Sequence, residues 1–345
     1  LKLTKEQQRV VDWDGGHVIV EAVAGSGKTT VLVERNRKLL RDGVAPSAIL
    51  NVMFNKDAAS TFQERLKAGS GGAMPKVQTF HALAYRLLNQ MASRGEIEAF
   101  ELLSDERQVR RLMQDSLQKA AGGRRGWGAE LVEEFAAFVT VVKSGFVPAS
   151  VVWKQGRYST ETAIFPGAFD VMEDLRKAEG LKTFDDLLLD LCLSMEDRPE
   201  DWSQFNQGLE HLIVDEVQDV CETQYRLMRG LTRNGATLMA VGDAGQSIYG
   251  FRGASPKYIL HEIPMAYGCP RLKLSRTFRY GHRTALMATH GLHNNKQRSD
   301  TMTIAAPGTP NTSVVFVKRL ETSGVAMLKK AFASGGEVSA AVLGR

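Results

Sequence analysis

Cysteine is scarce, with only Cys192, Cys221 and Cys269 in 345 residues. No two are close in sequence, which excludes a disulfide framework, a four-cysteine metal cluster and a zinc finger. Usage this sparse points to a reducing cytoplasmic compartment. Long apolar runs are missing as well. No stretch approaches the roughly 18 uncharged apolar residues of a membrane span, so a membrane partner is set aside. The opening residues, LKLTKEQQ, have neither the apolar core nor the small-residue cleavage site of a signal peptide. Internal repeats and low-complexity tracts are absent too. What remains is globular: 43% hydrophobic and 24% charged residues, a balance unlike disorder or collagen. The length suits two or three domains of about 150 residues. Lys and Arg exceed Asp and Glu by 44 to 39. The excess suits a polyanionic partner, but spread over this length it identifies none.

Hydrophobic patterning divides the chain. GGHVIVEAVAGSGKTTVLVERNRKLL predicts a strand, a glycine-rich turn and a helix. SAILNVMF predicts a second strand, followed by a helix over 56–67. A short strand at Val77 and a helix from about His81 come next. From 88 to 180 helical segments follow one another with no clear strand between them, which reads as a helical insertion. FDDLLLDLCL returns as a helix, and HLIVDE and ATLMAVGD are short apolar runs of the buried parallel-sheet type. RLKLSRTF opens a third stretch, with a helix near 282–294 and the strands SVVFVK and SAAVLG. The fold class is therefore α/β: a parallel-sheet domain interrupted by helices, then the start of another α/β domain.

The strand-to-helix turn carries the chemistry. In Ala24-Gly25-Ser26-Gly27-Lys28-Thr29, backbone N–H groups can turn inward around phosphate oxygens at the positive end of a helix. Lys28 would reach the β- and γ-phosphates, and the Thr29 hydroxyl would coordinate Mg²⁺. Leu212 to Glu216 supplies the second half of an ATPase site, 187 residues from Lys28 to Asp215. Asp215 would hold Mg²⁺ and Glu216 would activate the attacking water. Two acids at a strand tip also suit a helix cap with a solvated neighbour; their pairing with GSGKT favours nucleotide hydrolysis.

VDEVQD and VGDAGQSIYGFRGA resemble segments of the UvrD/Rep branch of superfamily-one DNA helicases. LTKEQ, AVAGSGKT, TFHALAYRLL, TFDDLL and LSRTFRYGHR resemble its other motifs, in the same order along almost the whole chain. Ala22, where the strict P-loop has Gly, fits the family's own variant. Asn55-Lys56-Asp57 departs from the more frequent Thr-Asn-Lys. The FNK, TFHALAYR and TFRYG variants are also similar to the eukaryotic F-box DNA helicase.

The resemblance implies a RecA-like motor domain at 1–87 and 181–270, a helical insertion at 88–180, and an incomplete second RecA-like domain at 271–345. It implies that Gln7 reads adenine, Gln246 touches the γ-phosphate, Phe278 stacks on the base and Arg279 acts as an arginine finger. Thr30 stands where other members set Arg against the adenine. For DNA it implies Phe54, Phe80, His81, Tyr249, Phe251 and Arg252, an aromatic and basic set on which any base can stack. The implied activity is ATP-dependent 3′-to-5′ translocation and unwinding, with ATP and Mg²⁺ as cofactors. Single-stranded DNA and single-/double-strand junctions are the implied partners, in repair, replication or recombination, with nucleoid association if the source is bacterial. Family members continue past the AVLGR of 341–345 into further motifs, so the expectation is a shortened chain. An ATP- and DNA-binding module without unwinding, or the ATPase part of a helicase–nuclease, are the alternatives.

Overall fold

VIVEA and ILNVM are apolar at nearly every position, the pattern of strands covered on both faces. In the computed structural model, which describes residues 2–68, 72–123, 126–198, 207–295 and 297–309, both are fully buried. The chain begins with α1 (Lys5–Val11), started by a reciprocal capping box between Thr4 and Gln7. It continues through β1 (Val18–Ala22), α2 (Lys28–Arg41), β2 (Ile49–Met53), α3 (Lys56–Lys67), β3 (Lys76–Thr79) and α4 (Phe80–Ser93). Asn55 and Thr79 cap α3 and α4 by accepting from the N–H groups of Ala58 and Ala82.

The helical excursion follows: β4 (Glu101–Leu102), α5 (Glu106–Ala120), α6 (Ala129–Lys143), α7 (Ala149–Gln155), α8 (Phe165–Ala178) and β5 (Leu181–Lys182). The chain then returns through α9 (Phe184–Asp197), β6 (His211–Val214), α10 (Glu222–Leu231), β7 (Thr237–Gly242), α11 (Ile263–Tyr267) and β8 (Arg271–Leu274). It ends, among the described residues, with β9 (Arg276–Thr277), α12 (His282–His293) and β10 (Ile304–Ala305).

Six strands form one sheet in the order β3-β2-β6-β7-β1-β8, every pairing parallel. Alternate residues feed opposite faces. Ile19, Leu50, Val52, Leu212 and Leu238 pack with Leu83, Leu191 and Leu227 of α4, α9 and α10. Val18, Val20, Ile49, Ile213 and Met239 pack with Val10, Leu32 and Phe62 of α1, α2 and α3. The excursion has a core of its own around Phe135, Phe138 and Phe165, with ring centroids 5.2 to 6.4 Å apart.

Three expectations need revision. Residues 271–274 are not the start of a separate sheet: β8 pairs with β1, Ile19 opposite Arg271, and closes the first sheet's edge. The boundary at 87/88 falls inside α4, whose apolar face carries it on to Ser93. The excursion also contains a strand, since two-residue β4 pairs with β5 where the chain leaves and re-enters. SVVFVK, SAAVLG and AVLGR lie outside the described residues.

A buried ionic cluster joins the excursion to α9. Lys143 contacts Asp186, and both side chains are wholly buried. Lys143 also pairs with Glu173 at 2.8 Å, while Arg176 pairs with Asp186 at 3.0 Å and Asp190 at 3.2 Å. Burial acts to raise the Glu173 carboxyl, but hydrogen bonds and charge from Arg176 and Lys143 override it and bring it down to about 2.

Candidate functional site

In an open parallel sheet, ligands bind outside the carboxyl ends of the strands. All the candidate residues except Gln7 follow the carboxyl end of a strand: β1 leads into the glycine loop, β2 into Phe54, β3 into Phe80 and His81, β6 into Asp215, β7 into Gln246, and β8–β9 into Phe278. Local backbone chemistry fixes the loop. Gly25 and Gly27 have φ of +75° and +80°, which glycine adopts without steric cost. Ser26 N–H donates to the Val23 carbonyl at 3.1 Å, and Val23 N–H to the Leu274 carbonyl at 3.1 Å, tying the loop to β8.

Two walls flank this loop. On one side Gln7, 6% exposed, donates from Nε2 to the Ser26 carbonyl at 3.0 Å. Its Oε1 accepts from Thr4 N–H at 2.9 Å, so the capping box orients the amide. On the other side Phe278 N–H donates to the Gly25 carbonyl at 2.8 Å, leaving its ring 48% exposed. A Cβ on Gly25 would lie 2.5 Å from Arg279 Cβ and 2.7 Å from Thr277 Oγ1, so that segment packs directly on the loop. Ala24, Thr29 and Thr30 are half-buried beside it.

The acidic pair stands two strands away, across β7. Lys28 Nζ donates to Glu216 Oε2 at 2.6 Å. Glu216 has φ of +55°, the one positive value on a non-glycine among the described residues. Such a backbone costs roughly 1–2 kcal/mol and persists only where surroundings enforce it. Glu216 N–H donates to Asp215 Oδ1 at 3.0 Å. Burial pushes the Asp215 carboxyl up to about 6, opposed by Lys28 and reinforced by Glu216. Asp215, half-buried at the end of β6, and the Thr29 hydroxyl at the start of α2 are oxygen donors of the kind Mg²⁺ takes.

Beyond Glu216 runs a chain of hydrogen bonds. Gln218 Nε2 donates to Glu216 Oε2 at 2.8 Å, and its Oε1 accepts from Asp243 N–H at 2.9 Å. The Asp243 carboxylate accepts from Gln246 Nε2 at 2.7 Å and Gly245 N–H at 2.9 Å. Asp219 accepts from the N–H groups of Ile248 and Tyr249, and burial raises its carboxyl. Gln246 is thus linked to Glu216 through Gln218 and Asp243.

The aromatic candidates divide. Phe54 and Tyr249 lie 4.9 Å apart and Tyr249 and Phe251 6.0 Å apart. Arg252 stands over the last two rings at 5.8 and 5.6 Å. Phe251 is 62% exposed, an open face for stacking. His81 is half-buried, with its ring edge-on to Phe184 at 6.3 Å. Burial lowers its pKa, opposed by the Asp185 charge and helped by Arg252. Phe80 does not belong with these. It is 5% exposed, inside the core beneath the sheet, and has no face to offer a base.

Sequence reasoning missed Gln218, Asp219 and Asp243, although all three lie in the segments VDEVQD and VGDAGQ. The available signal was their polarity at the ends of buried strands, where a side chain must find partners.

Residues 3–265 match the UvrD/REP helicase N-terminal domain. The chain is 32% identical over 273 residues to the ATP-dependent DNA helicase UvrD2 of Mycobacterium tuberculosis, covering 75% of this chain and 38% of that protein. It is 29% identical over 264 residues to the ATP-dependent DNA helicase PcrA of Staphylococcus aureus, covering 75% and 35%. YjcD of Bacillus subtilis is 27% identical over 307 residues, covering 86% and 39%. The chain therefore spans between 35% and 39% of the length of these relatives. With three quarters of the chain inside the matched domain, and the glycine loop and acidic pair meeting at the sheet's carboxyl edge, it belongs to the UvrD/REP helicase family.

Proposed function

We propose that this chain is the ATP-hydrolysing part of a DNA motor that moves 3′ to 5′ along single strands and unwinds duplex at junctions, in repair, replication or recombination. The observation that carries the proposal is the 2.6 Å contact of Lys28 with Glu216, which joins the phosphate loop to a candidate base from a distant strand. Lys28 donates to Glu216. Phosphate oxygens offer Lys28 a stronger partner, and its departure leaves Glu216 free to accept a proton from an attacking water. Thr29 and Asp215 would hold Mg²⁺, which when bound neutralises charge on the phosphates. Arg279, packed on the loop, would stabilise charge developing in the transition state. Gln7 and Phe278 would fix the adenine from opposite sides. Phe54, Tyr249, Phe251 and Arg252 would grip the strand, with His81 alongside. Residues 271–309 then serve as the passage from the first motor domain into a second, whose closure over ATP steps the strand.

The test is a paired substitution. Lys28→Ala should abolish strand-stimulated ATP hydrolysis and weaken nucleotide binding. Glu216→Gln should reduce turnover by about 10²–10⁴-fold, the typical worth of a general base, while still binding nucleotide. Turnover at the normal rate in the Glu216→Gln protein would remove Glu216 as the base.

A further inference from the structure

We infer that Gln218 is a positioning residue that couples the aim of the Glu216 carboxylate to the 243–249 loop, so that strand and nucleotide sense each other through one side-chain amide. The inference rests on the motor reading above and concerns a residue outside its machinery. Gln218 is 2% exposed. A primary amide offers two N–H donors and a carbonyl acceptor in one rigid plane. Both donors are committed to carboxylates, Glu216 Oε2 at 2.8 Å and Asp219 Oδ2 at 3.1 Å. The carbonyl accepts from Asp243 N–H at 2.9 Å, and the Gln218 backbone carbonyl accepts from Ser247 Oγ at 3.1 Å.

These partners divide by role. Glu216 faces the phosphate loop. Asp219, Asp243 and Ser247 belong to the frame of the loop that carries Tyr249 and leads to Phe251. Because the amide is planar, a shift of Asp243 moves Oε1 and swings Nε2 against Glu216. The Glu216 carboxylate oxygen has two donors, Lys28 and Gln218. Once phosphate draws Lys28 away, Gln218 is the one of the pair that still aims the carboxylate. The state of the strand-side loop then decides whether Glu216 points at its water.

A second observation supports the assignment. Gly242 ends β7 immediately before Asp243. A Cβ there would lie 2.4 Å from Gln218 Oε1 and 3.1 Å from the Val217 backbone nitrogen. The glycine leaves the amide its place, and any side chain at 242 would expel it. Glutamate at 218 would keep an acceptor for Asp243 N–H but lose both donors, and would bring a third charge between Glu216 and Asp219.

The experiment measures linkage, because two sites coupled through one group must change each other's affinity by the same factor. The affinity of the whole chain for a fluorescent oligo-dT is measured with and without Mg²⁺ and a non-hydrolysable ATP analogue. In the unmodified protein the two affinities should differ by about 5–150-fold, the usual span of such couplings. In Gln218→Met the ratio should fall below about twofold, while each ligand alone binds within about threefold of normal. A merely structural residue would weaken both ligands together and leave the ratio standing. Gln218→Glu and Gly242→Ala should give the same collapse, which keeps the test intact if the methionine variant fails to fold. A normal ratio in variants that bind both ligands overturns the inference and leaves the motor reading in place. Failure of the unmodified chain to bind nucleotide or oligo-dT removes the motor reading, and the inference with it.

Discussion

Phe54 and Phe80 stand in equivalent places, the first residue past a strand's end, yet they finish in opposite environments. Phe80 begins α4, whose buried residues run Phe80, Leu83, Ala84, Leu87, Leu88 and Met91. That is the spacing of one helix face, and Phe80 is in register with it. Phe54 precedes the cap Asn55 and lies outside α3, free to meet Tyr249. The sequence carries this distinction in the helical period, which Phe80 completes and Phe54 does not. Phe251, 62% exposed, is the most open ring of the proposed strand-binding set. Phe251→Ala should weaken oligo-dT binding by about 5–150-fold, since one base stack is worth about 1–3 kcal/mol. The slope of log affinity against log salt should not change, because stacking releases no counterions. Arg252→Ala should make that slope shallower by about 0.7, one phosphate's worth on a single strand. A Phe251→Ala protein with normal affinity and a shallower slope would assign that position to backbone contact instead.

At the scale of elements, most helices and buried strands could be read from period and capping, because those signals are local. Partnership could not. RLKL shows the alternation of a half-buried strand, Leu272 and Leu274 in and Lys273 out, but nothing in four residues says which sheet they join. Nor did the sequence reveal the cluster of Lys143, Glu173, Arg176, Asp186 and Asp190, drawn from three elements as far as 47 residues apart. A buried ion pair gains little over apolar packing, but losing one partner leaves a charge without compensation. Lys143→Met should therefore destabilise the protein, though by less than the ~3–5 kcal/mol of a lone buried pair, because Arg176 still pairs with Glu173 and Asp186. Because the cluster links the excursion's separate core to α9, the melt should also broaden or split as the two cores unfold apart. Calorimetry would decide. A single sharp transition near the normal temperature would mean the cores are held together by other contacts.

For the whole molecule, what matters is that one edge of a six-stranded sheet collects segments from the two ends and the middle of the described chain. The glycine loop and the acidic pair were legible because their chemistry tolerates few residue types. The relay through Gln218 was not, since its partner Asp243 is 25 residues away and glutamine has many uses. The same layout makes the site a clasp. Gln7 holds Ser26, Phe278 holds Gly25, and the Glu6 carboxylate accepts from Ser275 N–H at 2.8 Å and Ser275 Oγ at 2.7 Å. A ligand seated on the loop should therefore tighten segments far apart in sequence. At a hundred times its dissociation constant, Mg²⁺ with a non-hydrolysable ATP analogue stabilises the folded state by about 2.7 kcal/mol. For a domain of this size that corresponds to a rise in melting temperature on the order of 5–10 °C. Hydrogen exchange should slow together at 25–29, 215–218 and 275–279, while the core of Phe135, Phe138 and Phe165 exchanges as before. Protection confined to 25–29 would show a phosphate loop working alone, and would count against the acidic pair and the 275–279 segment as parts of one nucleotide site.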